Sequence, residues 1–118
     1  MTTALLARPA RHTVLREHQS VVDAPVARVF AALARAVDPG PESHFVADEA
    51  SGLVVVQGGW WYRAEYRVTP EADATRVAFT LLNVATPAHW AGPITGRDAI
   101  RSSATHFGDV IDRVRAAL

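Results

Sequence analysis

Cysteine is absent from these 118 residues, so disulfides, thiolate nucleophiles and Cys-ligated zinc are excluded. Lysine is absent too. All 12 basic residues are arginines spread from Arg8 to Arg115, which reads as a compositional bias and not as a clustered anion site. A formal net charge of +0 argues against a nucleic-acid partner, because such binders depend on neutralising phosphates. No His-x-x-x-His, His-x-His or carboxylate at metal spacing occurs, and there is no nucleophile elbow, phosphate loop or dinucleotide fingerprint. No metal and no cofactor are therefore expected. The run Met1 to His12 holds only the Leu5-Leu6 pair as an apolar centre, too little for a signal peptide or a span. A cytoplasmic protein without membrane insertion is expected. Residues 1–11 are expected to form a flexible N-terminal arm, and 12–118 a single domain.

The stretch from Gly58 to Val68 is the most informative part of the chain. Gly58-Gly59 between two β-rich runs predicts a two-residue hairpin turn, since both central positions of such turns favour φ > 0. That turn sets Gln57 opposite Trp60, Val55 opposite Tyr62 and Leu53 opposite Ala64, giving an aromatic face. Val54, Val56, Trp61, Arg63, Glu65 and Arg67 fall on the other side. The charged members there, with Arg76, predict a solvated surface with cross-strand ion pairs.

Around this hairpin the order of elements is legible. A strand over about His12 to Val22 runs into Asp23-Ala24-Pro25, a helix start with proline in its first turn. Val26, Val29, Phe30, Leu33 and Val37 recur at helical spacing until Asp38-Pro39-Gly40-Pro41 stops them. Strands follow over Phe45 to Asp48, Leu53 to Gln57, Trp60 to Thr69 and Thr75 to Ala85. If Val68 faces Val77, then Tyr66 faces Phe79, Ala64 faces Leu81 and Tyr62 faces Asn83, continuing the aromatic face. After a Pro- and Gly-broken connection (86–96), Thr95 with Asp98 suggests a capping pair. Ile100, Ser103, Phe107, Val110, Ile111 and Val114 then predict an amphipathic helix of about five turns.

The class is thus α+β, with a long C-terminal helix as the only element able to cover the aromatic face. The run Ser20-Val21-Val22-Asp23-Ala24-Pro25-Val26-Ala27-Arg28-Val29-Phe30 resembles the strand-to-helix passage of the START-like superfamily, also called SRPBCC or the birch-pollen-allergen fold. Trp60 to Val68, followed by Thr75-Arg76-Val77, is similar to the central hairpin of its polyketide cyclase/dehydrase-like branch. The resemblance spans about His12 to Leu118. It implies a helix-grip fold, a curved antiparallel sheet packed on the long C-terminal helix, with a short helix after the first strand. It also implies a hydrophobic cavity between sheet and helix.

The expected lining is Val55, Gln57, Trp60, Tyr62, Tyr66, Phe79, Leu81, Asn83, Ser103, Phe107 and Ile111, an apolar wall with sparse polar groups. Its partner would be a small hydrophobic or aromatic molecule, in the manner of lipid-binding relatives. A solid core is the competing reading, in which the tyrosine hydroxyls merely reach the rim. His106, Tyr62 and Asn83 are candidate general acid-base groups if the cavity is a cyclase-, aromatase- or dehydratase-like site; the other histidines read as surface or rim residues. On the opposite face, Val54, Val56, Trp61, Leu82 and Val84 form an apolar patch, read either as a homodimer interface or as a surface covered by Leu5 and Leu6.

Overall fold

The computed structural model describes residues 2–86 and 88–118. Met1, part of the expected arm, and Pro87, in the expected 86–96 connection, lie outside the described residues. The chain runs through helix α1 (Thr2–Leu6), strand β1 (Thr13–Val22), helix α2 (Val26–Ala36) and strands β2 (Ser43–Asp48), β3 (Leu53–Gly58), β4 (Tyr62–Glu71) and β5 (Ala74–Asn83). A 3-10 turn (His89–Ala91) then leads to helices α3 (Gly92–Thr95), α4 (Arg97–Arg101) and α5 (Ser103–Ala116). The five strands form one antiparallel sheet in the order β1-β5-β4-β3-β2. This is the helix-grip architecture of a curved sheet held against a C-terminal helix.

Helix α2 begins after Pro25, whose extended backbone (φ −64°, ψ 151°) sets the direction of the first turn. It ends before Asp38-Pro39, because a residue ahead of proline is disfavoured in helical geometry. Val29, Phe30, Ala32 and Leu33 are its buried stripe. Together with Phe107, Val110, Ile111 and Val114 of α5 they form one core with the inner faces of β3, β4 and β5. The β4–β5 register is the expected one, with Tyr66 opposite Phe79 and Ala64 opposite Leu81.

The β3–β4 hairpin departs from expectation. Gly58 pairs with Tyr62 and Gln57 with Arg63, so the loop is the three residues Gly59-Trp60-Trp61. Only Gly59 takes a left-handed backbone, at φ 60°. The slip is an odd number of residues, and in a strand that turns every side chain to the other face. Val54 and Val56 therefore join the inner core, while Leu53 and Val55 face outward with Val46. The tryptophans exchange roles as well. Trp61 packs on the inner core with its ring so close to Gly96 that a Cβ there would lie 2.0 Å away, whereas Trp60 sits on the loop, 38% exposed.

The apolar outer patch is thus not the expected one. Val54, Val56 and Trp61 lie inside, Leu82 is fully buried, and half-buried Val84 donates its N–H to the Trp61 carbonyl. The actual outer cluster, Val46, Leu53 and Val55, is packed under Leu5 and Leu6 of α1. Within the opening segment, Thr2–Leu6 form α1, which is seated on the sheet through Leu5 and Leu6. Nor are Arg63 and Glu65 solvated, being 0% and 6% exposed. Arg63 donates to Glu65 (2.8 Å), to Gln57 (2.9 Å) and to the Leu5 and Leu6 carbonyls, and Arg8 grips both Glu65 oxygens from outside. Burial alone pushes the Glu65 carboxyl up, but the two arginines outweigh it and hold it below the usual carboxylate range.

The expected five-turn helix is instead broken at Ser102 into α4 and α5, the expected connection before it holds the short helix α3, and Thr95 makes no side-chain cap. Helical phase nevertheless carries across the breaks, through Ile100 N–H to Gly96 C=O at 3.0 Å and His106 N–H to Ser102 C=O at 2.9 Å.

Candidate functional site

The inner surface divides into a filled half and an open half. Toward β1 and β5, aromatic rings stack closely: Tyr66 to Phe79 at 5.0 Å, Phe79 to Phe107 at 5.6 Å and His18 to Phe79 at 5.9 Å between centroids. Spacings of this size are favourable edge-to-face or offset contacts and leave no room for a guest. Phe79, Leu81, Phe107 and Ile111, expected as lining, are buried members of this solid core.

Toward β2 and β3 lies a cleft of about 250 Å³. Its wall is Val37, Asp38 and Pro39 after α2, Ser43 of β2, Val56 of β3, Tyr62, Ala64 and Tyr66 of β4, and His106 of α5. Small Ala64 between two tyrosines on one strand face creates the space, since alternate residues of a strand project to the same side. In the cleft wall buried Tyr66 Oη is hydrogen bonded to Nε2 of exposed His106 at 3.0 Å. Burial pushes both tyrosine hydroxyls up, so they remain protonated donors at neutral pH. The His106 pKa is pushed below its ordinary value, first by burial and then by the Arg113 charge, with Asp109 opposing, which favours the neutral imidazole.

Tyr62, Tyr66 and His106 are thus the expected site residues that the fold brings to one cleft. Val55 and Gln57 lie on the outer side and Trp60 on the hairpin loop. Asn83 is buried away from the cleft, where its amide donates to His89 C=O at 2.7 Å and its carbonyl accepts Ala85 N–H at 3.0 Å. It pins the connection after β5 and is not presented to a guest. Buried Ser103 is hydrogen bonded to His18 Nε2 at 2.9 Å, joining α5 to β1. Among the described residues no buried side-chain polar atom lacks a partner.

Sequence reasoning missed Val37, Asp38, Pro39, Ser43, Val56 and Ala64 as lining. Val56 was lost with the β3 register, and Asp38-Pro39 carried only the signal of a helix stop. Among the described residues no group of three or more His, Cys, Asp or Glu gathers as a metal site, and no helix is long and apolar enough to cross a membrane.

No protein-family model matches the sequence. No functionally curated protein matches it either. Among solved structures, the chain is similar to TTHA0849 from Thermus thermophilus, at 15% identity over 91% of this chain and 99% of that one, with a TM-score of 0.51. It is also similar to Ara h 8.0201, at 12% identity over 90% of this chain and 99% of that one, with a TM-score of 0.55. At these identities the likeness is one of fold, and that fold is the birch-pollen-allergen-like one.

Proposed function

We propose that the protein binds a small, flat, largely apolar molecule in the cleft between β2–β4 and α5, with its one polar group held by Tyr62, Tyr66 and His106. The carrying observation is a cleft of about 250 Å³ whose apolar wall converges on the Tyr66–His106 hydrogen bond. An apolar cavity of about 150 Å³ suffices for benzene, and drug-sized ligands use roughly 300–1,000 Å³. The space therefore suits one or two fused rings and is too small for a whole lipid. Tyr66 and His106 spend one donor and one acceptor on each other, which leaves the Tyr62 hydroxyl and a free lone pair on Tyr66 Oη for a guest, so a phenol or enol, able to donate and to accept, is the ligand chemistry that fits.

Titration with 2-naphthol, followed by its own fluorescence, tests this reading. Saturable binding is expected. Val56→Phe, which fills the cleft, should abolish it, and His106→Ala should weaken it about tenfold through one lost hydrogen bond. Absence of saturable binding, or binding that ignores Val56→Phe, would refute the proposal.

A second reading, a cyclase- or dehydratase-like enzyme, is favoured by one observation: a histidine biased toward its neutral form and hydrogen bonded to a tyrosine in the cleft wall. In that reading His106 Nε2–H donates to Tyr66 Oη, which steadies the ring, and the unprotonated Nδ1 takes a proton from an enolisable ligand. Exchange of the α-protons of a small cyclic β-diketone, measured by NMR in heavy water, should then fall to background in His106→Ala. An exchange rate equal in the variant and the unmodified protein would leave binding alone.

A further inference from the structure

The helical run after β5 has a second, outward face that the cleft does not use. With 3.6 residues per turn, Ile94, Arg97 and Arg101 follow one another at steps of three and four and lie on one stripe, and Trp90 leads into it from the 3-10 turn. Gly92, Gly96, Ile100 and Ser103 form the buried stripe on the other side. The N–H of Gly96 to the Gly92 carbonyl at 2.9 Å, with the Ile100 and His106 bonds, keeps that phase through the breaks. The outward stripe begins with two large apolar side chains that are 74% and 61% exposed.

Two further exposed apolar residues lie at the same end of the sheet. Trp60 neighbours Trp61, whose ring rests on Gly96. Val14 follows Thr13, whose hydroxyl is hydrogen bonded to His89 Nε2 at 2.8 Å. Around this apolar tip stand exposed Arg97 and Arg101, with Arg11 just before β1, while the carboxylates at this end are Asp98 and Glu42, the latter just before β2. The most exposed tryptophan thus stands beside a short helix that carries two exposed arginines and one carboxylate.

We infer that this end of the molecule docks peripherally on a bilayer surface carrying anionic headgroups. Tryptophan and a large aliphatic side chain lie well at the depth where headgroups meet acyl chains, and arginines behind them lie at the level of the lipid phosphates. Each adds attraction to an anionic leaflet. A side chain as exposed as Trp90 projects from the surface, the shape that enters a soft interface. A second copy of the chain is disfavoured as the occupant. A two-fold contact through this stripe would gather Arg97 and Arg101 of both copies, four arginines, into one small interface. The inference does not depend on what the cleft binds.

Vesicle co-sedimentation tests it, using pure phosphatidylcholine and the same lipid with roughly one third phosphatidylserine. The full chain should sediment with the anionic vesicles at low salt, shift its tryptophan emission to the blue, and be released as salt rises past physiological strength. The Arg97→Gln/Arg101→Gln variant should bind about twentyfold more weakly, from roughly fivefold per arginine. Trp90→Ser/Ile94→Ser should lose binding while keeping its melting temperature, because both side chains are exposed. His106→Ala, which damages the cleft, should sediment like the unmodified protein. Failure to bind anionic vesicles, or binding indifferent to both double substitutions, overturns the inference. So does a dimer seen by light scattering that Trp90→Ser dissolves, which would assign the stripe to a second copy.

Discussion

On the inner face of β4, Ala64, Tyr66 and Val68 meet the apolar stripes of α2 and α5. On its outer face Arg63 and Glu65 are shut from water almost as completely, yet carry full charges beneath a helix of five residues. The inner face is stabilised by area, which is forgiving of direction. The outer face depends on direction. Each charged group there needs named partners, Arg8, Gln57 and the Leu5 and Leu6 carbonyls, because an unpaired buried charge is strongly unfavourable. One strand therefore joins two kinds of stability, and the outer kind exists only while α1 is seated.

The sharpest way to separate them is to damage each in turn. Phe79→Ala, in the middle of the inner aromatic stack, should cost about 3–5 kcal/mol in urea denaturation, through lost transfer energy and the cavity left behind. A cost under about 1 kcal/mol would mean that the stack collapses freely on itself. Arg63→Met should cost about 3 kcal/mol by leaving Glu65 buried with one partner fewer. The paired change Arg63→Met/Glu65→Leu should recover most of that loss, since well-packed apolar replacements of buried ion pairs are often neutral. If the double variant is no better than the single one, the outer face is held by packing and the contrast fails.

The smallest effect is the part of the pH dependence that Glu65 carries on the outer face. Glu65 has a folded-state pKa below its unfolded one, so it binds fewer protons folded than unfolded as pH falls through the carboxylate range. Its stabilisation is therefore fully present above the ordinary carboxylate pKa and is lost as pH drops through the lowered value. In Glu65→Gln that part of the acid sensitivity should vanish, while the Phe79→Ala curve keeps it. Parallel stability curves for the unmodified protein and Glu65→Gln from neutral to acid pH would contradict the assignment.

The inner face was legible from sequence because β4 and β5 alternate strictly, and one correct pair, Val68 with Val77, fixes all the others. The outer face was not. Its chemistry looks solvated in any reading of β4 alone, and only α1, with its two leucines, makes Arg63 a core residue. The β3 error came from the double glycine, which signals a two-residue turn. The true loop is three residues long because Trp61 turns in to pack against Gly96, a tertiary contact that turn chemistry cannot encode. The cleft suffered from the same slip. Tyr62, Tyr66 and His106 were within reach of pattern reasoning, whereas Ser43 and Asp38-Pro39 reach the cleft only through the fold's closure.

The strand order carries a consequence for how the chain acquires its shape. β2, β3, β4 and β5 follow one another as a meander, so their pairings join near neighbours in sequence. β1 must find β5 across the whole of it, with Thr13 opposite Asn83. Long-range pairings of this kind close slowly and come after local ones, so the meander is the natural early structure and β1 a late addition. Until then β5 offers an unpaired edge to the solvent, and crowded refolding exposes that edge to other chains. Pulse-labelled hydrogen exchange should find β3 and β4 amides protected before those of β1; protection arising first in β1 would reverse the order.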